Sequence, residues 1–341
     1  MRACSLISLL TFALVAELIA QVGPPPSATA LTDPSIPSGE RAQIAESMRV
    51  SSLVGDSLWP GWNEIPLALL LVTSTDEFLI GHPRPSDDFA QLGDNAQLGV
   101  AVFHRAAVFP PHFLASFPAV GGVPTIVVGT AEATGKGTTA WVLSVLHERF
   151  HQLQMSQPDY FDGVAELDLA HGDTTGQWML DYPFPYEDPN VRGRYVDLAS
   201  HLLRTLELAG TPDFANRLEA YHSARERFRE TLSEEDYRYF QFQLWQEGVA
   251  RYTELRLAEL AALQGEPPDP LPDHEPYAEA AARLRREILE GLQMSTLSND
   301  RRVAFYPLGA ATALLLDLVA PQWHSRFFED PFALDPYFEP D

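Results

Sequence analysis

Val145-Leu146-His147-Glu148-Arg149-Phe150-His151 is the stretch around which the rest of the chain is organised. It reads His-Glu-x-x-His inside an apolar, helix-forming run from about Thr139 to Gln154. On an α-helix, residues four apart lie on one face, one turn above the other. His147 and His151 therefore aim two imidazoles at one point, and Glu148 sits one step round, within reach of a water held there. Two neutral imidazoles are a common zinc pair, and a neighbouring carboxylate is the base such a site needs. The flanking Trp141, Val142, Leu143, Val145, Leu146, Phe150 and Leu153 are apolar nearly all round, which predicts a buried helix. Polar groups on such a helix need partners. The alternative is a pair of core histidines bonded to backbone, with Glu148 paired to an arginine.

The chain has 341 residues, 45% of them hydrophobic, enough for one large or two moderate domains. Its net charge of −24 is spread along the sequence. Nucleic acid and anionic membrane surfaces are excluded as natural partners, because both need basic patches. Lys136 is the only lysine, and the other basic residues are arginines.

The N-terminus reads as an export signal, with Arg2 as a short positive region and Leu6 to Ala16 as the apolar region. Cleavage is expected after Ala20 or after Ala30. The run is short and interrupted by Glu17, so no stable membrane insertion is expected after its removal. The protein is then periplasmic or secreted. Cys4 is the only cysteine, so the exported protein has no disulfide.

Residues 1–30 hold the signal and the start of a Pro/Ser/Ala linker, and residues 31–60 the rest of the linker and a helix starting near Ser38. Residues 61–155 form a β-rich subdomain that ends in the His-Glu helix. Its strands are Ile65 to Val72, Glu77 to Ile80, Gly99 to Phe103 and Thr125 to Val128, separated by Pro, Gly, Asp and Asn clusters. Residues 156–341 form a helical subdomain. It opens with a polar segment, about Ser156 to Asn190, that suits a lid or wall. Helices follow at about 191–208, 213–231, 233–263, 277–292, 307–319 and 323–328. The expected fold is α+β, a small mixed or antiparallel sheet followed by helices, with the His-Glu helix at the junction.

A catalytic zinc site takes three protein ligands and one open position. The best third donor is Glu247, in Trp245-Gln246-Glu247-Gly248-Val249-Ala250-Arg251-Tyr252. Gly248 costs helix stability, about 1 kcal/mol against alanine, which close packing against another helix would justify. The alternative is a surface glutamate paired to Arg251 at i+4.

His147-Glu148-Arg149-Phe150-His151 followed far downstream by Glu247-Gly248-Val249-Ala250-Arg251-Tyr252 resembles the gluzincin zinc metallopeptidases. The resemblance implies one zinc per chain held by His147, His151 and Glu247, with Glu148 as general base. It also implies a sheet strand along the substrate cleft, matched by position to Thr125–Val128. Many gluzincins carry an aspartate four residues after the ligand glutamate, where it orients a zinc histidine; Arg251 stands there instead. Glu254 and Asp317 are the alternatives for that task. His171 ranks second as a ligand. For the group that stabilises the oxyanion, Tyr306 in Phe305-Tyr306-Pro307-Leu308-Gly309 is the choice, with Tyr252 and His171 as rivals. Gly309 would permit close packing.

The implied activity is hydrolysis of peptide bonds in a peptide or protein substrate. A second reading keeps the fold without catalysis, as a metallopeptidase-like binding protein. Oligomeric state is left open.

Overall fold

Trp59-Pro60-Gly61-Trp62 turns the chain from its first helix into its sheet, and both tryptophans are fully buried in the turn. The computed structural model describes residues 34–339; the segment expected to be an export signal and most of the expected linker lie outside the described residues. Helix α1 (Ser38–Leu58) buries Ile44, Val50, Val54 and Leu58. The Trp62 indole lies across Gly55, where an added Cβ would stand 2.0 Å from the ring. Trp59 donates to Thr253 Oγ1 at 2.9 Å, tying the turn to a helix almost two hundred residues later.

Six strands follow: β1 (Leu69–Val72), β2 (Asp76–Ile80), β3 (Ala90–Asn95), β4 (Val100–Ala106), β5 (Leu114–Val120) and β6 (Val123–Gly129). They form one mixed sheet in the order β3-β4-β2-β1-β6-β5, in which only β1 and β6 run parallel. Leu69, Leu71, Ile126 and Val128 face the main core, while Leu70, Val72 and Val127 face a smaller cluster with Phe113 and Phe117. Both faces are covered, so these strands read as unbroken apolar runs rather than alternating ones.

Two strands were not foreseen. β3 is polar and mostly exposed, and β5 contains Pro118. A proline in a strand marks an edge, and β5 is the edge. Gly121 and Gly122, at φ +55° and +70°, close the β5–β6 hairpin; two left-handed residues suit the two-residue turn that matches strand twist. Thr125–Val128 therefore lies inside the sheet, between β1 and β5. The strand at that edge of the sheet is β5.

The His-Glu helix, α2 (Thr138–Met155), packs on β5 and β6 and is buried along nearly its whole length. The Trp141 indole donates to the Gly129 carbonyl at 2.8 Å, fixing the end of β6 to the start of α2. The expected polar segment is partly helical, with α3 (Tyr160–Glu166) and α4 (Trp178–Asp181). Then come α5 (Pro189–Glu207), α6 (Phe214–Arg229), α7 (Glu234–Gln243), a π-helical turn (Leu244–Gly248), α8 (Val249–Gln264), α9 (Tyr277–Met294), α10 (Leu297–Asp300), a 3-10 turn (Arg301–Ala304), α11 (Phe305–Val319) and α12 (Trp323–Arg326). The fold is α+β. Residues 297–319 are apolar enough to cross a bilayer by composition, but in this fold they are mostly buried inside.

Candidate metal centre

α2 presents His147 and His151 on one face, as the four-residue spacing requires. Their Nε2 atoms are 3.2 Å apart. Glu247 Oε2 lies 3.6 Å from His151 Nε2 and 3.9 Å from His147 Nε2. Nitrogen and oxygen donors at tetrahedral angles around one zinc lie about 3.3 to 3.4 Å apart. The three atoms thus form a triangle that an ion fits with small adjustments, and they are a group that could hold a metal ion. Arg251 does not pair with Glu247; it pairs with Glu254 and Glu287, each at 2.5 Å.

Glu247 stands on the π-helical turn between α7 and α8. One extra residue in a helical turn rotates the side chains that follow, and such turns recur at functional sites. The sequence gives no periodicity signal for it. The turn also frees carbonyls: the Gln154 amide donates to the Trp245 carbonyl at 3.1 Å.

That bond orients the second histidine. With its NH2 committed to Trp245, the Gln154 side chain presents Oε1 to His151 Nδ1 at 2.9 Å. In the neutral imidazole that a metal requires, this contact favours the proton on Nδ1 and leaves the Nε2 lone pair for the triangle. Gln246 accepts from the Tyr160 hydroxyl through Oε1 at 3.1 Å and turns its amide nitrogen, a donor, to the same Nδ1 at 3.2 Å, a longer contact than the one from Gln154. Neither glutamine was singled out in the sequence. A polar residue three beyond His151 on a buried helix was the available signal.

His147 Nδ1 faces Glu254 Oε2 at 3.8 Å. Of the two alternatives for orienting a zinc histidine, Glu254 is at the ring. Asp317 is elsewhere, bound by Tyr252 and Trp323.

The charges are strongly coupled. Burial pushes the Glu247 carboxyl up, but His151, Arg302 and His147 outweigh it and bring it down to about 2. Burial disfavours a charged His151, but Glu247 overrides it and raises the imidazole to about 9. Burial likewise raises Glu254, and Arg251 with His147 holds it well below the usual carboxylate range.

The Glu148 side chain is largely buried and close enough to His151 to favour its charged form, and among the described residues its carboxylate makes no hydrogen bond or ion pair. Its backbone carbonyl accepts from Ser116 Oγ at 2.8 Å, which seats edge strand β5 against this turn of α2. Arg149, one residue on, points away. Its guanidinium donates to the carbonyls of Trp62, Ile65 and Pro66 at 2.6 to 2.8 Å, so it anchors the turn before the sheet and not Glu148.

Tyr306 comes to the site. Its hydroxyl accepts from Arg302 Nη1 at 2.5 Å, and the same Nη1 is 3.9 Å from Glu247 Oε1. Because Arg302 supplies that hydrogen, the phenolic proton is left for an acceptor on the other side, where the Glu247 carboxylate stands. Burial raises the hydroxyl, Arg302 opposes and Glu247 reinforces, with the net result that Tyr306 stays protonated far above neutral pH. Arg302 was missed in the sequence; it sits in a 3-10 turn and is buried.

The rivals lie elsewhere. Tyr252 turns its hydroxyl to Asp317 at 2.9 Å and His324 at 2.8 Å. His171 is exposed and bonded to Glu235. This corrects its ranking as a second ligand, and the reason is local: φ +49° places it in a loop rather than on a helix facing the core. The comparisons with known proteins add no relative, since no family model, no curated protein and no solved structure matches the chain.

Proposed function

We propose that this protein is a gluzincin-type zinc metallopeptidase that acts outside the cytoplasm. The observation that carries the reading is the convergence of His147, His151 and Glu247 on one point, with the unpartnered Glu148 carboxylate beside it. The donor set is two imidazoles and a carboxylate, which suits zinc and leaves a fourth position open. When bound, zinc supplies an acidified water and a polarised carbonyl.

The remaining work falls to the chain. Glu148 takes a proton from water and returns it to the leaving amine. Tyr306, with Arg302 donating to it, donates a hydrogen bond to the carbonyl oxygen as negative charge develops there and keeps its proton. Glu254 and Gln154 hold the two imidazoles in orientation. Strand β5, last in the sheet order, is seated against the Glu148 turn through Ser116.

The binding-protein alternative rests on Arg251 standing where the resemblance calls for an aspartate. Glu254, one turn later, faces His147 in its place, and a non-catalytic site has no use for Glu148. The test is digestion of a peptide library by the zinc-loaded protein, read by mass spectrometry. Cleavage that stops with a zinc chelator and in Glu148→Gln supports the proposal. No cleavage, or cleavage that persists in Glu148→Gln, contradicts it.

A further inference from the structure

A cavity of about 500 Å³ is bounded by the end of α2, α3, the π-helical turn and the segment after α12. It falls within the roughly 300–1,000 Å³ of small-molecule sites. Gln154, which holds His151 Nδ1, forms part of its wall, but none of the residues placed at the metal triangle lines it. It is a separate chamber.

Its lining has two parts. Four aromatic residues contribute to its wall: the half-buried Phe328, and the nearly fully buried Tyr160, Phe332 and Trp245, the last of these stacked on Phe327. Trp245 and Phe332 meet edge to face at 5.1 Å, Tyr160 and Phe332 at 5.8 Å, and Trp245 and Phe328 at 6.4 Å. The Phe332 ring is set by close contact with Gly163, where a Cβ would stand 2.6 Å from the ring edge. At the rim are Asp159 and Glu166, both exposed and neither in an ion pair among the described residues. No lysine, arginine or histidine lines the cavity.

Aromatic faces attract cations through their quadrupole, and most strongly those too weakly hydrated to stay in water, such as quaternary and alkylated ammonium groups. An acidic rim without a counter-ion adds long-range attraction of the same sign, as does the net charge of −24. We infer that this chamber binds a small organic cation, an alkylated ammonium head seated against the aromatic wall at Phe328 and Phe332 with Asp159 and Glu166 at its mouth. Nothing in this inference depends on hydrolysis at the metal centre.

The test is calorimetric titration of the full chain with choline and with its uncharged isostere, in which a tert-butyl group replaces the trimethylammonium. Choline is expected to bind at least about tenfold more tightly than the isostere. The double variant Asp159→Asn, Glu166→Gln changes only exposed side chains and is expected to weaken choline severalfold. Zinc-loaded and chelator-treated protein should bind choline alike. Equal affinity for the two probes, no binding of either, or choline binding unchanged in the double variant would overturn the inference. Choline displaced by zinc would overturn it too, by placing the cation in the metal cleft.

Discussion

Gly248 and Gly309 meet backbone to backbone: a Cβ on Gly248 would stand 2.5 Å from Gly309 Cα, and one on Gly309 would stand 2.7 Å from Gly248 Cα. Glu247 precedes the first glycine and Tyr306 lies one turn before the second. This crossing is what puts the carboxylate and the phenol into one site. Gly309→Ala must therefore separate the helices, because the atoms it meets are backbone and cannot rotate away. Overpacking of this kind costs about 1–3 kcal/mol. A lower urea midpoint with an unchanged slope is expected. An unchanged midpoint would mean that the helices do not rest on these glycines.

Tyr306 and Tyr252 compete for one role and occupy different places. Tyr306→Phe is expected to lower kcat by about 10²–10³ while leaving bound zinc unchanged, the cost of removing one oxyanion donor. Tyr252→Phe is expected to leave kcat nearly intact, because its hydroxyl belongs to Asp317 and His324. Steady-state kinetics on both variants decides it. The reverse pattern would reassign the electrophile.

Glu254 faces the ring nitrogen of His147 that does not point at the triangle. Loss of such a partner weakens metal binding by about 10–100-fold. Glu254→Gln, titrated against a zinc buffer, should show a drop of that order. Wild-type affinity would assign Glu254 to the Arg251–Glu287 ion-pair cluster alone.

His324 gives a pH dependence far from the site. Burial lowers its imidazole from 6.5 to about 4, with Asp317 opposing and Arg256 assisting. The unfolded chain therefore takes up a proton here before the folded one does. The stability from a neutral His324 is complete above pH 6.5 and is lost as pH falls toward about 4. The difference is worth about 3 kcal/mol. Urea unfolding between about pH 7 and about pH 4 should show a shallower loss in His324→Gln than in the natural chain. Equal losses would show that the imidazole is not held neutral.

Most of this architecture was legible, and what was not has identifiable causes. The helices carry strong periodicity, and the apolar runs of β1, β2, β4 and β6 announce buried strands. β3 is polar and β5 carries Pro118, so neither presents a strand pattern; both are read only from their partners in the sheet. At the site, His147, Glu148 and His151 are fixed by local spacing. Glu247 was legible through the glycine beside it. The π-helical turn was not, because one inserted residue leaves composition and hydropathy unchanged. Gln154, Gln246 and Arg302 act through contacts between elements far apart in sequence, and no spacing encodes those.

If three side chains on two distant helices hold one ion, the purified protein retains that ion and loses it with any of the three. Purified protein, dialysed against zinc and then against metal-free buffer, is assayed by inductively coupled plasma mass spectrometry beside Glu247→Ala and His147→Ala. The expected result is about one zinc per chain in the natural protein, falling sharply in both variants. Absence of stoichiometric zinc from the natural chain, or its full retention by Glu247→Ala, would contradict the assignment.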